Sequence, residues 1–172
     1  MLTGESCNVD AMDVVLGEGA LDTDALKRAN VNPDTGLATD YLNHFNEAVM
    51  LIEMAADMPD LADEVLAWRP CGYEEHFERT LYTGKDVAIA AWRAAPHPVR
   101  AHFETLIAAL DETLGEAQAA VADGDFARAG AMAAEDVEPL LAAARACING
   151  RIDGEDVDDS NAAQAGVDAL FG

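Results

Sequence analysis

Between residues 99 and 147 the chain carries an apolar pattern that few folds can accept. Val99, Phe103, Leu106, Leu110, Leu114, Ala117 and Val121 recur at steps of three and four, a spacing that lines one face of a helix for roughly six turns. Asp123-Gly124-Asp125 supplies a glycine stop for that helix and an aspartate cap for the next. Phe126, Ala129, Ala133, Val137, Leu140, Ala144 and Cys147 form the returning stripe. Two amphipathic helices joined by so short a bend lie antiparallel, and both stripes then need a third surface to bury them. Pro139 removes one backbone donor from the returning helix, a loss of about 3 kcal/mol in a straight helix. A kink or restart is expected near Asp136, which falls on the side of Leu140 and Phe126 and is read as the cap of the restarted helix.

The third surface is the helix expected over residues 39–56. Tyr41, Phe45, Ala48, Val49, Ile52 and Ala56 fall on one face at about 100° per residue, while Asp40, Asn43, His44 and Glu47 collect on the other. Met50, Met54 and Met58 follow the same helical spacing and read as flexible core filler. Ahead of this helix, Leu21-Asp22-Thr23-Asp24 caps a short helix running to Asn30, and Asn32-Pro33-Asp34-Thr35-Gly36 makes a turn. Residues up to about Ala20 lack periodicity and are read as an irregular arm in which Met12, Val14, Val15 and Leu16 pack. After it, Met58-Pro59 starts a further helix with Asp57 as cap, burying Leu61, Val65, Leu66 and Trp68. Tyr73 to Leu81 reads as a short helix with Phe77 and Leu81 inward, and Asp86 to Ala94 as another.

Charge narrows the partners. The 33 acidic and 10 basic residues give a formal net charge of -23, which repels nucleic acid phosphates and anionic membrane surfaces. No run of about 18 apolar residues is present, and residues 1–10 have neither basic residues nor an apolar run, so we expect no membrane span and no signal peptide. Cys7, Cys71 and Cys147 are odd in number and widely spaced, which fits reduced thiols in a cytoplasmic protein better than a disulfide framework. Cys71, between Pro70 and Gly72, is expected on a loop that exposes its thiol, and Cys147 in the core.

The densest polar cluster is the candidate site: His44 and Glu47, three apart on one helix, with Asn43 and Asp40 beside them and Glu75 and His76 from a neighbouring helix. Imidazole and carboxylate together suit metal binding or acid-base work. The sequence nevertheless lacks Glu-x-x-His, His-x-x-x-His and His-Glu-x-x-His, so no metal and no cofactor is assigned. A Ser/His/Asp order, a glycine-rich phosphate loop and a redox cysteine pair are also missing.

Asp153-Gly154-Glu155-Asp156-Val157-Asp158-Asp159-Ser160-Asn161 is too charged to bury anything and reads as a linker. It leads to Ala163-Gln164-Ala165-Gly166-Val167-Asp168-Ala169-Leu170-Phe171. This segment resembles the Ser-Gln-x-x-Ile-Asp-x-Leu-Leu/Phe stretch by which flagellar switch proteins of the FliM family engage a phosphorylated receiver domain. It is also similar to the end of the CheZ chemotaxis phosphatases. The matching positions are Gln164, Val167, Asp168, Leu170 and Phe171. The last apolar three, at i, i+3 and i+4, present one face to a groove on folding. Ala163 replaces the capping serine and Gly166 weakens the helix by about 1 kcal/mol. The phosphatase aspartate and glutamine context is missing around Gln118 and Gln164, so the resemblance does not imply that activity. Much of 36–77 has a general resemblance to uncharacterised bacterial helical proteins, which brings no activity with it.

The expectation is an all-α helical bundle with a long antiparallel C-terminal hairpin, an irregular N-terminal arm and a C-terminal tail helix. Residues 1–150 form the bundle, and 151–172 the acidic linker and amphipathic tail. The expected function is non-enzymatic: a cytoplasmic interaction or regulatory protein that binds a protein partner through its tail, with self-association left open. The resemblance implies a receiver domain as that partner. The alternative is a metal-dependent or small-molecule-binding enzyme using His44 and Glu47.

Overall fold

The computed structural model describes residues 15–151. The fold is all-α, and its nearest approach to a sheet among those residues is one antiparallel bridge between Val31 and Ala38. Helix α1 (Thr23–Arg28) begins where predicted, with the Asp22 side chain accepting from the Ala25 N–H at 2.8 Å. The turn after it also forms. The Asn32 side chain accepts from the N–H groups of Asp34 and Thr35, and Gly36 takes φ +76°. Thr35 is buried, its hydroxyl donating to the Ile148 carbonyl at 2.7 Å, which fastens this turn to the last helix.

The central helix opens as a 3-10 turn, Thr39–Leu42, and continues as α2 (Asn43–Asp57). Tyr41, Phe45, Ala48, Val49 and Ile52 are buried as their spacing predicts. The last inward position is Ala55, three residues beyond Ile52, and Ala56 is exposed. The methionines are not core filler. Met50, Met54 and Met58 are 53%, 38% and 47% exposed, because position 50 lies about 100° around the helix from Val49 and the neighbouring helices cover only the Val49 side.

Asp57 ends α2 instead of capping the next helix. Met58 occupies the N-cap position without a side-chain bond, and Pro59 opens a 3-10 turn into α3 (Ala62–Ala67). Helix α4 (Tyr73–Arg79) buries Tyr73 and Phe77. Leu81, expected inward, is 98% exposed because α4 stops before it, with Thr80 in extended backbone. Helix α5 (Lys85–Ala94) buries Ala88, Ala91 and Trp92, and Arg93 binds both Glu74 oxygens, at 3.1 and 2.7 Å, to join α5 to α4.

Helix α6 (His97–Ala122) is the 26-residue strut that the periodicity predicts, with six of the seven stripe residues buried and Val99 half-buried. Gly124 at φ +81° turns the chain, and the Asp125 side chain accepts from the Arg128 N–H to cap α7 (Phe126–Met132). Pro139 is absorbed without a break. One π-helical turn, Ala133–Val137, leads straight into α8 (Glu138–Ile148), with the proline in its first turn. Asp136 is exposed and caps nothing, since Val137 occupies the cap position without a side-chain bond. Leu141, four residues after Val137, is fully buried where Leu140 is half-buried, and Ala144 and Cys147 are buried as predicted.

The hairpin of α6 against α7 and α8 carries α2 across it, α3 bridges α2 and α6, and α4, α5 and α1 close one end. Of the N-terminal arm, Leu16 packs on the core and Val15 is 47% exposed, while Met12 and Val14 lie outside the described residues. No described helix is long and apolar enough to cross a membrane. The predicted partner-binding residues Gln164, Val167, Asp168, Leu170 and Phe171 also lie outside the described residues.

Candidate functional site

Four of the six predicted polar residues meet at one opening. Asn43, His44 and Glu47 of α2 and His76 of α4 line a cleft of about 510 Å³, together with Trp68, Arg69, Cys71, Arg79 and Thr80. Asp40 and Glu75 are not among its lining residues. Asp40 accepts from Asn43 Nδ2 at 3.2 Å and lies 3.4 Å from His76 Nε2. Glu75 accepts from the Gly72 N–H and pairs with Arg79 at 3.6 Å. That pair is largely exposed and adds little stability. The two absent carboxylates thus orient residues that line the cleft.

Its back wall is Trp68, which the sequence reading assigned only to the core. Trp68 leaves α3 in extended conformation, donates its indole N–H to the His44 carbonyl at 3.0 Å and stacks on the His44 ring at 4.6 Å and 27°. Gln118 of α6 fixes this loop from below, donating to the carbonyls of Val65 and Trp68 at 2.8 Å each. The Arg69 guanidinium turns back onto the Leu66 and Trp68 carbonyls, closing the open end of α3. Free carbonyls at a helix C-terminus take such donors readily.

Burial lowers the pKa of His44, with the Arg69 carbonyl opposing and the neighbouring His76 adding to the shift. A neutral ring is therefore favoured. Its Nε2 is sealed from solvent without a hydrogen-bond partner. Cys71 is buried instead of exposed, because the Tyr41 hydroxyl pins its carbonyl at 2.7 Å and draws the loop inward. Burial raises the pKa of its thiol, and a protonated, buried thiol is a poor nucleophile. Cys147 is core as predicted, its Sγ 3.7 Å from the Val99 carbonyl.

Asp111 had no sequence signal that set it apart from the other acids of α6. One of its carboxylate oxygens is buried without a partner, and burial raises its pKa to about 6. Its charge reaches both Tyr41 and Cys71, whose acidities it lowers further after burial itself. Trp68 and Cys71 did carry a signal: an aromatic and a thiol around Arg69-Pro70 and before Gly72 mark a loop that must fold back on something.

The cleft offers an aromatic wall, a neutral imidazole and two arginines, but no paired nucleophile and base. Among the described residues no three His, Cys, Asp or Glu side chains converge closely enough to hold a metal ion. Comparison of the chain with family models, with curated proteins and with solved structures finds no match.

Proposed function

We propose that the protein is a non-enzymatic interaction protein in which the helical bundle carries a receiver-binding segment at residues 163–171. The observation that carries this reading is the pattern Gln164, Val167, Asp168, Leu170 and Phe171 behind a strongly acidic linker. Among the described residues the last helix stops at Ile148, ahead of Gly150 at φ +92°. The test is calorimetry of the full chain with a receiver domain, with and without the phosphoryl mimic beryllofluoride. Saturable binding that disappears in Leu170→Ala/Phe171→Ala, with the helical circular dichroism unchanged, is the expected result. Equal binding by the double variant sinks the reading.

A second reading, a small-molecule-binding domain, draws on a different observation: His44, Glu47 and His76 share one cleft of about 510 Å³ with Trp68 at its back. That volume lies within the range of ligand pockets. The metal-dependent form of this alternative has no three-donor group among the described residues to rest on. Elemental analysis of the purified protein with His44→Ala as control tests it, and stoichiometric iron or zinc lost in the variant would restore it.

A further inference from the structure

The outer side of α2 carries a second apolar stripe that the core does not use. Met50 and Met54 lie two residues either side of the buried Ile52, about 200° around the helix from it. With Met58 at the end of the helix they recur every four residues, and all three are exposed. Five large apolar side chains are exposed among the described residues, and these are three of them. The other two, Val15 and Leu81, lie in the arm and in the loop after α4. Helix propensity does not call for methionine at these positions, since Glu, Lys and Gln serve as well. Apolar side chains gathered on one exposed helix face mark a surface that meets a partner. Methionine, unbranched and polarizable, is the side chain that adapts most readily to such a contact.

Beside the stripe, α2 and α3 flank a groove of about 360 Å³ lined by Glu47, Leu51, Asp63, Glu64, Ala67 and Trp68. Glu47, Met50, Leu51 and Met54 share one sector of α2, so the stripe and the groove border each other. The surroundings are acidic. Residues 47–64 include Glu47, Glu53, Asp57, Asp60, Asp63 and Glu64, all exposed, and no Lys, Arg or His. Among the described residues none of these six pairs with a cation. The arginines of the neighbouring cleft do not line the groove: Arg69 is turned onto the Leu66 and Trp68 carbonyls, and Arg79 faces Glu75.

These charges select what can cover the stripe. Residues 1–14 and 152–172 hold three and six acidic residues and no basic one, so neither segment complements the groove. A second copy carries the same charge of -23 and would set carboxylates against carboxylates. Nucleic acid is repelled for the same reason. A complementary surface needs apolar side chains spaced to meet methionines four apart, flanked by Lys or Arg within reach of Glu47, Asp63 and Glu64. An amphipathic helix with a basic border has this layout, its apolar anchors falling at i, i+3, i+4 and i+7.

We propose that the Met50, Met54 and Met58 stripe, with the carboxylate-lined groove beside it, binds a basic amphipathic helix of a partner protein. The surface includes none of residues 163–171 and is independent of the receiver-binding segment. Calorimetry of the full chain at physiological ionic strength tests this with two Leu/Lys peptides of about four helical turns. One has a continuous apolar face, and the other is a scrambled isomer of equal charge without one. The amphipathic peptide should bind saturably and about ten-fold more tightly than the isomer. Met50→Gln/Met54→Gln should weaken it about ten-fold with the helical circular dichroism unchanged, since both side chains are exposed. Asp63→Asn/Glu64→Gln should weaken it and flatten its salt dependence, while Leu170→Ala/Phe171→Ala should bind it as the wild type does. Equal affinity for the two peptides would reduce the interaction to net charge and overturn the proposal. Unchanged affinity in Met50→Gln/Met54→Gln, or loss of binding in Leu170→Ala/Phe171→Ala, would place the contact elsewhere and overturn it equally.

Discussion

The indole N–H of Trp68 donates to the carbonyl of His44 at 3.0 Å while the His44 ring stacks on the same indole at 4.6 Å, so one residue of α2 holds the α3 loop by both its backbone and its side chain. Phenylalanine at 68 keeps the ring contact and loses the hydrogen bond. Trp68→Phe should therefore cost about 1 kcal/mol, and Trp68→Ala about 3 to 5 kcal/mol, read from urea midpoints at constant m-value. If the two variants are equally destabilised, the indole N–H is the dominant tie and the stacking is incidental.

His44 gives the same latch a pH dependence. Burial holds the folded-state pKa below the ordinary 6.5, so the unfolded chain takes up the proton first as pH falls. The neutral ring's contribution is complete above about 6.5 and is lost as pH drops through the lower, folded-state value. NMR titration should place this imidazole midpoint below 6.5, and His44→Gln should remove the associated loss of stability in mild acid. A midpoint at or above 6.5 contradicts the burial argument.

Asp111 works in the opposite direction. With its pKa raised from 3.8 to about 6, the folded protein keeps a proton that the unfolded chain has released. Its contribution to stability therefore declines as pH rises from about 4 to 6 and stays unfavourable above that window. Asp111→Asn should stabilise the protein at pH 7, on the order of 1 kcal/mol, and should leave it nearly unchanged at pH 4. Chemical denaturation at both values checks the sign, and a destabilised variant at pH 7 would point to a partner for the charged carboxylate.

Gln118 matters through two donors on one nitrogen. Its Nε2 serves the Val65 and Trp68 carbonyls at 2.8 Å each, and no other residue type of this length can donate there without bringing a charge. Gln118→Glu turns donors into acceptors facing two carbonyls and should cost more than Gln118→Ala, which should itself cost on the order of 2 kcal/mol. Both should also loosen the cleft wall, seen as faster exchange of the Trp68 indole proton. Equal stability of the wild type and Gln118→Glu would remove Gln118 from the account.

The hairpin and the face from Tyr41 to Ile52 could be read from sequence because each rests on a repeat many residues long. Sequence and structure part where one residue of register decides which side chain is inside. Ala55 is inside where Ala56 is expected, and Leu141 is fully buried where Leu140 is expected, while Ala144 and Cys147 stay inside as their spacing predicts. Leu81 is outside because an apolar residue of correct spacing is buried only if the helix reaches it. The candidate site divides in the same way. Asn43, His44 and Glu47 are neighbours on one helix and were legible, whereas Trp68, Gln118 and Asp111 reach the site only through the packing of α3 and α6 on α2. Such long-range contacts leave no periodic trace in the chain.

Two glycines give the backbone part of this account a sharp contrast. Gly36 has φ +76°, and a Cβ there would sit 2.7 Å from the Ala91 carbonyl oxygen and 3.3 Å from Ala95 Cβ. The turn it makes precedes Ala38, whose N–H donates to the Tyr73 hydroxyl, so any shift is passed to the start of the central helix and to α4. Gly115 lies in the middle of α6, exposed, with nothing within 4 Å of a Cβ. Gly36→Ala meets both an unfavourable φ and a backbone clash, and should cost more than the roughly 1 kcal/mol that φ strain alone costs. Gly115→Ala gains helix propensity with no contact to lose and should stabilise by about 0.5 to 1 kcal/mol. Thermal melts of the two variants should therefore move in opposite directions. A neutral Gly36→Ala would mean that the 32–36 turn can relax, and with it the hold of Thr35 on the Ile148 carbonyl at the end of α8.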